Sequence, residues 1–143
     1  KHVEQIKALT RKGAYDNVVF HRVIDGFMAQ TGDVQFGNSA KDFNPAQAGM
    51  GGSDLPDIKA EFSQEPFVRG TVGMARAQSP DSANSQFFIT FGDASFLNGQ
   101  YTVVGNVESG MELVDKIKRG DEAQNGVVSD PDKMIKVKIA ADK

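Results

Sequence analysis

The chain has 143 residues, enough for one domain with a hydrophobic core and short for two. Sixteen Lys and Arg against nineteen Asp and Glu leave a formal charge of −3, so neither nucleic acid nor an anionic membrane surface has an electrostatic case as the main partner. The absence of cysteine excludes a disulfide framework, a thiolate nucleophile and a Cys-based zinc site. The two histidines, His2 and His21, form no spaced ligand pair, so no metal or cofactor is expected. No apolar run approaches the roughly 18 residues of a membrane span. Lys1-His2-Val3 opens the chain without a starting Met or an apolar signal core, which predicts that the translated protein begins earlier.

Taken in chain order, residues 1–12 read as a short amphipathic helix with Val3, Ile6 and Leu9 on one side and Gly13 as its stop. Strands are expected at 18–24, 71–77, 85–91, 101–107 and 134–140. In the last of these, Ile135, Val137 and Ile139 alternate with Lys136 and Lys138. Asn98-Gly99 between apolar runs predicts a two-residue hairpin turn. A second helix is expected from a Ser109/Glu112 capping box, with Met111, Val114 and Ile117 as its buried stripe and Gly120 as its end. Segments 37–57 and 120–133 carry the Gly, Asn, Asp and Pro of loops. Many short strands with two helices argue for a single mainly β domain, a barrel or sandwich, since βαβ units would need more helices.

Several familiar motifs fail on inspection. The Gly49-Met50-Gly51-Gly52 run is followed by Asp54-Leu55-Pro56 and lacks a P-loop Lys, so it reads as a flexible loop rather than a phosphate cradle. No G-x-S-x-G elbow occurs. The pairs Asp54/Asp57 and Asp121/Glu122 lie in polar loops, with nothing to split their pKa values for acid–base work. What stands out is a set of cationic and amide side chains within apolar strand sequence. Arg22 sits inside Val18–Ile24, Gln30 follows Phe27-Met28-Ala29, and Gln86 precedes Phe87-Phe88-Ile89. Period-two alternation sets Phe20, Arg22 and Ile24 against Val19, His21 and Val23. It likewise sets Phe87, Ile89 and Phe91, read as core, against Gln86, Phe88 and Thr90. The second trio suits a lined binding surface, or equally a polar face meeting water.

Phe20-His21-Arg22-Val23-Ile24-Asp25-Gly26-Phe27-Met28-Ala29-Gln30-Thr31-Gly32-Asp33 resembles the signature of the cyclophilins, the peptidyl-prolyl cis-trans isomerases. The resemblance continues, in order, through Gly73–Ala77, Ser85–Ile89, Phe96–Gly99 and Val103–Gly105. It implies a closed, eight-stranded antiparallel barrel capped by two α-helices, spanning residues 1–143 as one domain with the groove on its outer wall. It also implies catalysis of rotation about X-Pro peptide bonds, in aid of protein folding. Arg22 matches the catalytic arginine. Phe27, Met28, Phe88 and Leu97 match the proline pocket, and Gln30 and Gln86 the groups that orient the backbone. Ala75, Arg76 and Ala77 match a strand edge for the residues before the proline. Phe96 and Tyr101 match two further substrate-binding positions; Phe96 stands where many members carry Trp, and Tyr101 where many carry His, which predicts weak cyclosporin binding. His21 is read as structural, pointing away from Arg22.

The family opens with about two strands before its first helix, roughly 20–25 residues at ordinary strand lengths. That portion is absent here, so a longer natural chain is expected, and the isolated segment is expected to expose sheet edges. The stretch 78–84 is about one residue longer than in the eukaryotic archetype. The resemblance further implies a monomer acting on proline-containing peptides and unfolded or flexible segments, without nucleic acid, membrane or metal. Cytoplasm is the expected compartment, periplasm the alternative. A proline-peptide binding module without turnover is the competing reading, and Arg22 favours the enzyme.

Overall fold

A computed structural model describes residues 1–41 and 43–141. Helix α1 spans His2–Arg11. Seven short strands follow among the described residues: β1 Val18–Val19, β2 Arg22–Ile24, β3 Met28–Thr31, β4 Thr71–Met74, β5 Phe87–Thr90, β6 Val103–Asn106 and β7 Lys133–Met134. Helix α2, Met111–Val114, lies between β6 and β7. Strands β2-β3-β5-β4-β6 form one antiparallel sheet in that order, and β1 pairs with β7 in a second.

The helix stop at Gly13 forms as expected. Its N–H donates to Thr10 O and the next N–H, of Ala14, to Leu9 O, with Gly13 at φ +74°. This is the paired bonding of a Schellman end, and the positive φ is what glycine supplies. The buried side of α1 differs from the Val3-Ile6-Leu9 stripe: His2, Leu9 and Thr10 are buried and Val3 is 42% exposed. Tyr15, just beyond, is fully buried, donates to Ser85 O at 2.8 Å and meets Phe87 edge-on.

The expected closed eight-stranded barrel does not form. The outer edge of β2 is occupied by loop backbone, with Val23 N donating to Gly126 O and Gly120 N to Val23 O. At the other end β6 has β4 on one side and no strand on the other among the described residues. Other boundaries moved for identifiable reasons. The strand expected over 18–24 breaks at Phe20-His21, because the chain changes partners there. Phe20 N bonds Asp132 O beside β7, whereas Arg22 pairs with Gln30 of β3. Phe20 therefore packs with Val23 instead of sharing a face with Arg22. Asn98-Gly99 is a type II turn, with Asn98 at φ −56°, ψ 130° and Gly99 at φ +72°. It is no hairpin, since β5 and β6 both pair with β4 and not with each other. Helix α2 starts one residue late, from Gly110 in the left-handed region, so the Ser109/Glu112 box is not made. Met111, Val114 and Ile117 nevertheless pack on the core. The last strand is two residues rather than seven, and Ile135 is 76% exposed.

Register fixes what each face of the large sheet carries. Val23 opposes Ala29 and Ala29 opposes Ile89, while Arg22 opposes Gln30, Gln30 opposes Phe88 and Phe88 opposes Gly73. By alternation the first set looks inward and the second outward. The inward cluster joins Phe20, Val23, Ala29, Phe91 and Val128. The outward cluster joins Met28, Phe67, Phe88, Ala94 and Leu97, and it forms the bed of the site below. Both faces of β5 are thus covered, and Phe88, expected on the binding side, is more buried than the half-buried Phe87 and Ile89.

Gly73 lies under this second cluster. A Cβ there would stand 2.6 Å from the Phe67 ring and 2.7 Å from the Phe88 ring, which stack with centroids 5.7 Å apart. Overpacking of this kind costs about 1–3 kcal/mol. Gly73→Ala should therefore lower the thermal midpoint by several degrees while the far-ultraviolet circular dichroism stays that of the parent.

Candidate active site

Three amide and guanidinium side chains on adjacent strands are joined end to end. Arg22 Nη1 donates to Gln30 Oε1 at 3.1 Å, and Gln30 Nε2 donates to Gln86 Oε1 at 2.9 Å. Gln86 Nε2 donates to the carbonyls of Gly49 and Gly51, both at 2.9 Å. Arg22 is held on its other side by Asn125, through Nε to the backbone oxygen at 2.9 Å and Nη2 to Oδ1 at 3.1 Å. A guanidinium carries five N–H donors. These three bonds leave one hydrogen on Nη1 and one on Nη2 without a partner among the described residues. Half-burial lowers the Arg22 pKa from its ordinary value, with Tyr101 opposing the shift.

The Gly49–Gly52 run, read from sequence as a flexible loop, is anchored instead. Asp33 is fully buried, and its Oδ1 accepts from the N–H of Gln35 and Phe36 while Oδ2 accepts from Gly49 and Gly51 at 2.7 and 3.0 Å. A carboxylate satisfied by several backbone donors can be buried without a cation. The fit is close at Gly51, where a Cβ would lie 2.4 Å from Asp33 Oδ1.

Beside Arg22 a cavity of about 120 Å³ is lined by Phe27, Met28, Gln30, Ala75, Arg76, Phe88, Leu97 and Tyr101. The structure thus brings eight of the eleven expected binding residues together with Arg22. The other three lie next to it. Phe96 is 66% exposed and packs on Phe27 at 5.4 Å as a rim. Ala77 and Gln86 line an adjoining groove with Ala75 and Arg76. The strand edge expected at Ala75–Ala77 is not a strand, since β4 ends at Met74. The Ala75 N–H is taken by Gln86 O and that of Ala77 by Ser82 Oγ. Arg76 lies over the Tyr101 ring at 4.4 Å and clamps the carbonyls of Ala77, Gln78 and Gln100.

Sequence reasoning missed Asn125, Asp33 and Phe67. Asn125-Gly126, both at positive φ, is a readable turn signal, and Asp33 closes the quoted signature. Phe67 follows Pro66 in a loop and carries no signal of its own. Among the described residues no group of three His, Asp or Glu side chains forms a metal site, and no helix is long and apolar enough to cross a membrane.

A cyclophilin-type peptidyl-prolyl cis-trans isomerase family model matches residues 1–139. The chain belongs to the cyclophilin family and is a peptidyl-prolyl cis-trans isomerase. A probable peptidyl-prolyl cis-trans isomerase of Brucella abortus (strain 2308) is 70% identical over 142 residues, covering 99% of this chain and 72% of that protein. A Cryptosporidium parvum cyclophilin, solved in the presence of the dipeptide Ala-Pro, superposes with a TM-score of 0.79 at 28% identity, over 97% of this chain and 84% of that one. The cyclophilin AquaCyp293 of Hirschia baltica shares the fold at a TM-score of 0.80 and 23% identity, over 99% of this chain and 66% of its own.

His21 of this cyclophilin was expected to point away from Arg22, yet both border a single cavity. The imidazole is buried, and neither ring nitrogen has a hydrogen-bond partner among the described residues. The nearby Gln86 amide does not supply one, for both its hydrogens go to glycine carbonyls. Burial pushes the His21 pKa down to about 4, with the Asp33 charge opposing and the Arg22 charge adding to the shift. The ring is therefore neutral in the folded protein at neutral pH and protonates in the unfolded chain near pH 6.5. The unfolded state binds the extra proton between those values, so stability is whole above pH 6.5 and falls toward pH 4. The loss should be on the order of 3 kcal/mol. Urea unfolding at pH 7 and pH 4.5 should show the parent losing more stability than His21→Gln, and equal losses would contradict this account.

Proposed function

We propose that Arg22 is the catalytic residue of this isomerase and that the cavity over Met28, Phe88 and Leu97 seats the substrate proline ring. The two guanidinium hydrogens left without a partner among the described residues, on an arginine that lines that cavity, carry the proposal. Rotation about a peptide bond meets a barrier of ~18–20 kcal/mol because the C–N bond has partial double-bond character. In the twisted state that conjugation is lost and the prolyl nitrogen regains a lone pair. A fixed N–H donor from Arg22 stabilises that lone pair more than it stabilises either planar isomer, which is the requirement for catalysis. Gln30 contributes through its second Nε2 hydrogen, placed near the turning carbonyl.

No proton moves and no bond is broken, so the chemistry needs positioning and electrostatics alone. Lowering the barrier by ~6–7 kcal/mol gives about 10⁴–10⁵-fold acceleration. Preorganised donors in a half-buried setting supply terms of that size. The clients are flexible X-Pro segments in unfolded chains, where the enzyme assists folding as a monomer. The Ala-Pro dipeptide present with the Cryptosporidium cyclophilin supports the substrate class. Phe96 on the rim offers less apolar surface than an indole, consistent with weak cyclosporin binding.

Arg22→Ala should cut kcat/KM for an X-Pro peptide by about 10²–10³-fold, the usual scale for removing one preorganised donor. Peptide affinity should change by less than about threefold (~0.7 kcal/mol). Exchange spectroscopy gives the rate and chemical-shift titration the affinity. Equal losses in both would point to the proline-peptide binding module instead.

A further inference from the structure

Asn125 meets Arg22 twice. Its backbone oxygen accepts from Nε at 2.9 Å and its side-chain Oδ1 from Nη2 at 3.1 Å. Both nitrogens are bonded to the same guanidinium carbon, so one residue that accepts from both fixes the plane of the group as well as its position. Gln30 takes Nη1 alone. Asn125 is exposed and belongs to no strand; it stands at the end of a short 3₁₀ helix, Glu122–Gln124.

The backbone holds it there. Asn125 lies at φ 60°, ψ 32°, in the left-handed region where Asn and Asp are enriched among residues other than glycine. The turn is tied to β2, with Val23 N donating to Gly126 O and Gly126 N to Asp121 O, both at 2.8 Å. Just beyond, Val128 N donates to His21 O at 3.2 Å. A Cβ on Gly126 would stand 2.6 Å from Ile24 Cγ1 and 3.2 Å from Arg22 Cγ, so the turn lies directly on the side chains of β2. Asn125 therefore presents two oxygens at set points beside the guanidinium.

The residue type carries a second meaning. Asp121 and Glu122 belong to the same turn, yet the Asp121 carboxylate accepts from the Ala123 N–H and the amide is what reaches Arg22. Arg69 and Arg119, by contrast, are met by Asp115 and Asp25. Asp would suit a left-handed position as Asn does, so backbone geometry does not account for the amide. Charge does, since an amide oxygen grips a cation without cancelling it. We propose that Asn125 is a positioning residue of this isomerase, acting through Arg22, and that its neutrality is as necessary as its grip. This rests on the assignment of Arg22 as the catalytic residue.

Two variants keep the left-handed turn and the backbone bond to Nε while changing the side chain. Asn125→Gly removes the bond to Nη2, and Asn125→Asp keeps an acceptor there but adds a negative charge. Each should lower kcat for Ala-Ala-Pro-Phe by about tenfold in exchange spectroscopy, with KM close to the parent's, for opposite reasons. The Arg22 Nε–H resonance tells the reasons apart: its exchange with water should quicken in Asn125→Gly and slow in Asn125→Asp. The thermal midpoint of Asn125→Asp should stay near that of the parent. On an Arg22→Ala background neither change should alter the residual rate, because the effect passes through the guanidinium. Parent-like kcat in either variant, a loss carried by KM, or a further loss on the Arg22→Ala background overturns the proposal. If Arg22→Ala itself keeps full turnover, the catalytic assignment falls and takes this one with it. Loss in Arg22→Ala beside unchanged Asn125 variants removes the positioning role alone.

Discussion

A buried carboxylate with no ion-pair partner among the described residues organises this site. Asp33 accepts four backbone N–H groups, two from its own turn and two from Gly49 and Gly51. That fixes the glycine loop so that the carbonyls of Gly49 and Gly51 face Gln86. With both amide hydrogens spent there, Gln86 can present only its oxygen to Gln30. Gln30 in turn must offer its own oxygen to Arg22. The direction of every bond in the relay follows from the first, because an amide has one accepting end and one donating end. The relay ends on Asn125, which grips the far side of the guanidinium from a separate loop.

The scaffold makes this relay rigid. Arg22, Gln30 and Phe88 lie in register across three hydrogen-bonded strands, and the Gln86 side chain reaches Gln30 diagonally on the same face. Cross-strand neighbours of this kind are set by the backbone ladder, and loop flexibility does not disturb them. The apolar half of the site rests on the stacked Phe67 and Phe88 rings over Gly73, where no side chain fits beneath. One face of one sheet therefore supplies a hollow for a ring and a fixed donor beside it. A reaction that needs only a better fit to a twisted amide requires little more.

Much of this was legible in the sequence, and the losses have physical causes. Arg22, Gln30, Gln86 and Phe88 declared themselves as polar and aromatic positions in strand sequence, and the fourteen-residue signature named the family. The Gly13 stop was readable because φ and the bond pattern are local. The errors arose where long-range pairing overrode local pattern. The Phe20-His21 break reflects a change of partner strand, and the Asn98-Gly99 turn joins segments that pair elsewhere. The glycine loop looked flexible because its anchor, Asp33, lies sixteen residues before Gly49. Barrel closure failed at β2, whose outer edge is filled by loop backbone that no periodicity marks.

The arginines show why residue type alone could not separate catalysis from structure. Arg69 is paired with Asp115 through both Nη atoms, and Arg119 binds Asp25 while lying over the Phe91 ring. Those charges are met by carboxylates or rings and tie loops to the sheet. Arg76 gives three of its five N–H donors to backbone carbonyls. Arg22, like Arg76, meets only neutral oxygens, but alone among these four it is held by amide side chains, those of Gln30 and Asn125, with one backbone carbonyl beside them. A carboxylate partner would fix the guanidinium equally well, but its charge would oppose the polarisation that the twisted substrate needs. Neutral acceptors hold the geometry and leave the positive charge uncompensated, which is what the catalytic role proposed for Arg22 requires. Placing a cation without neutralising it is the central demand of the site, and the Asp33-anchored amide relay is how this sequence meets it.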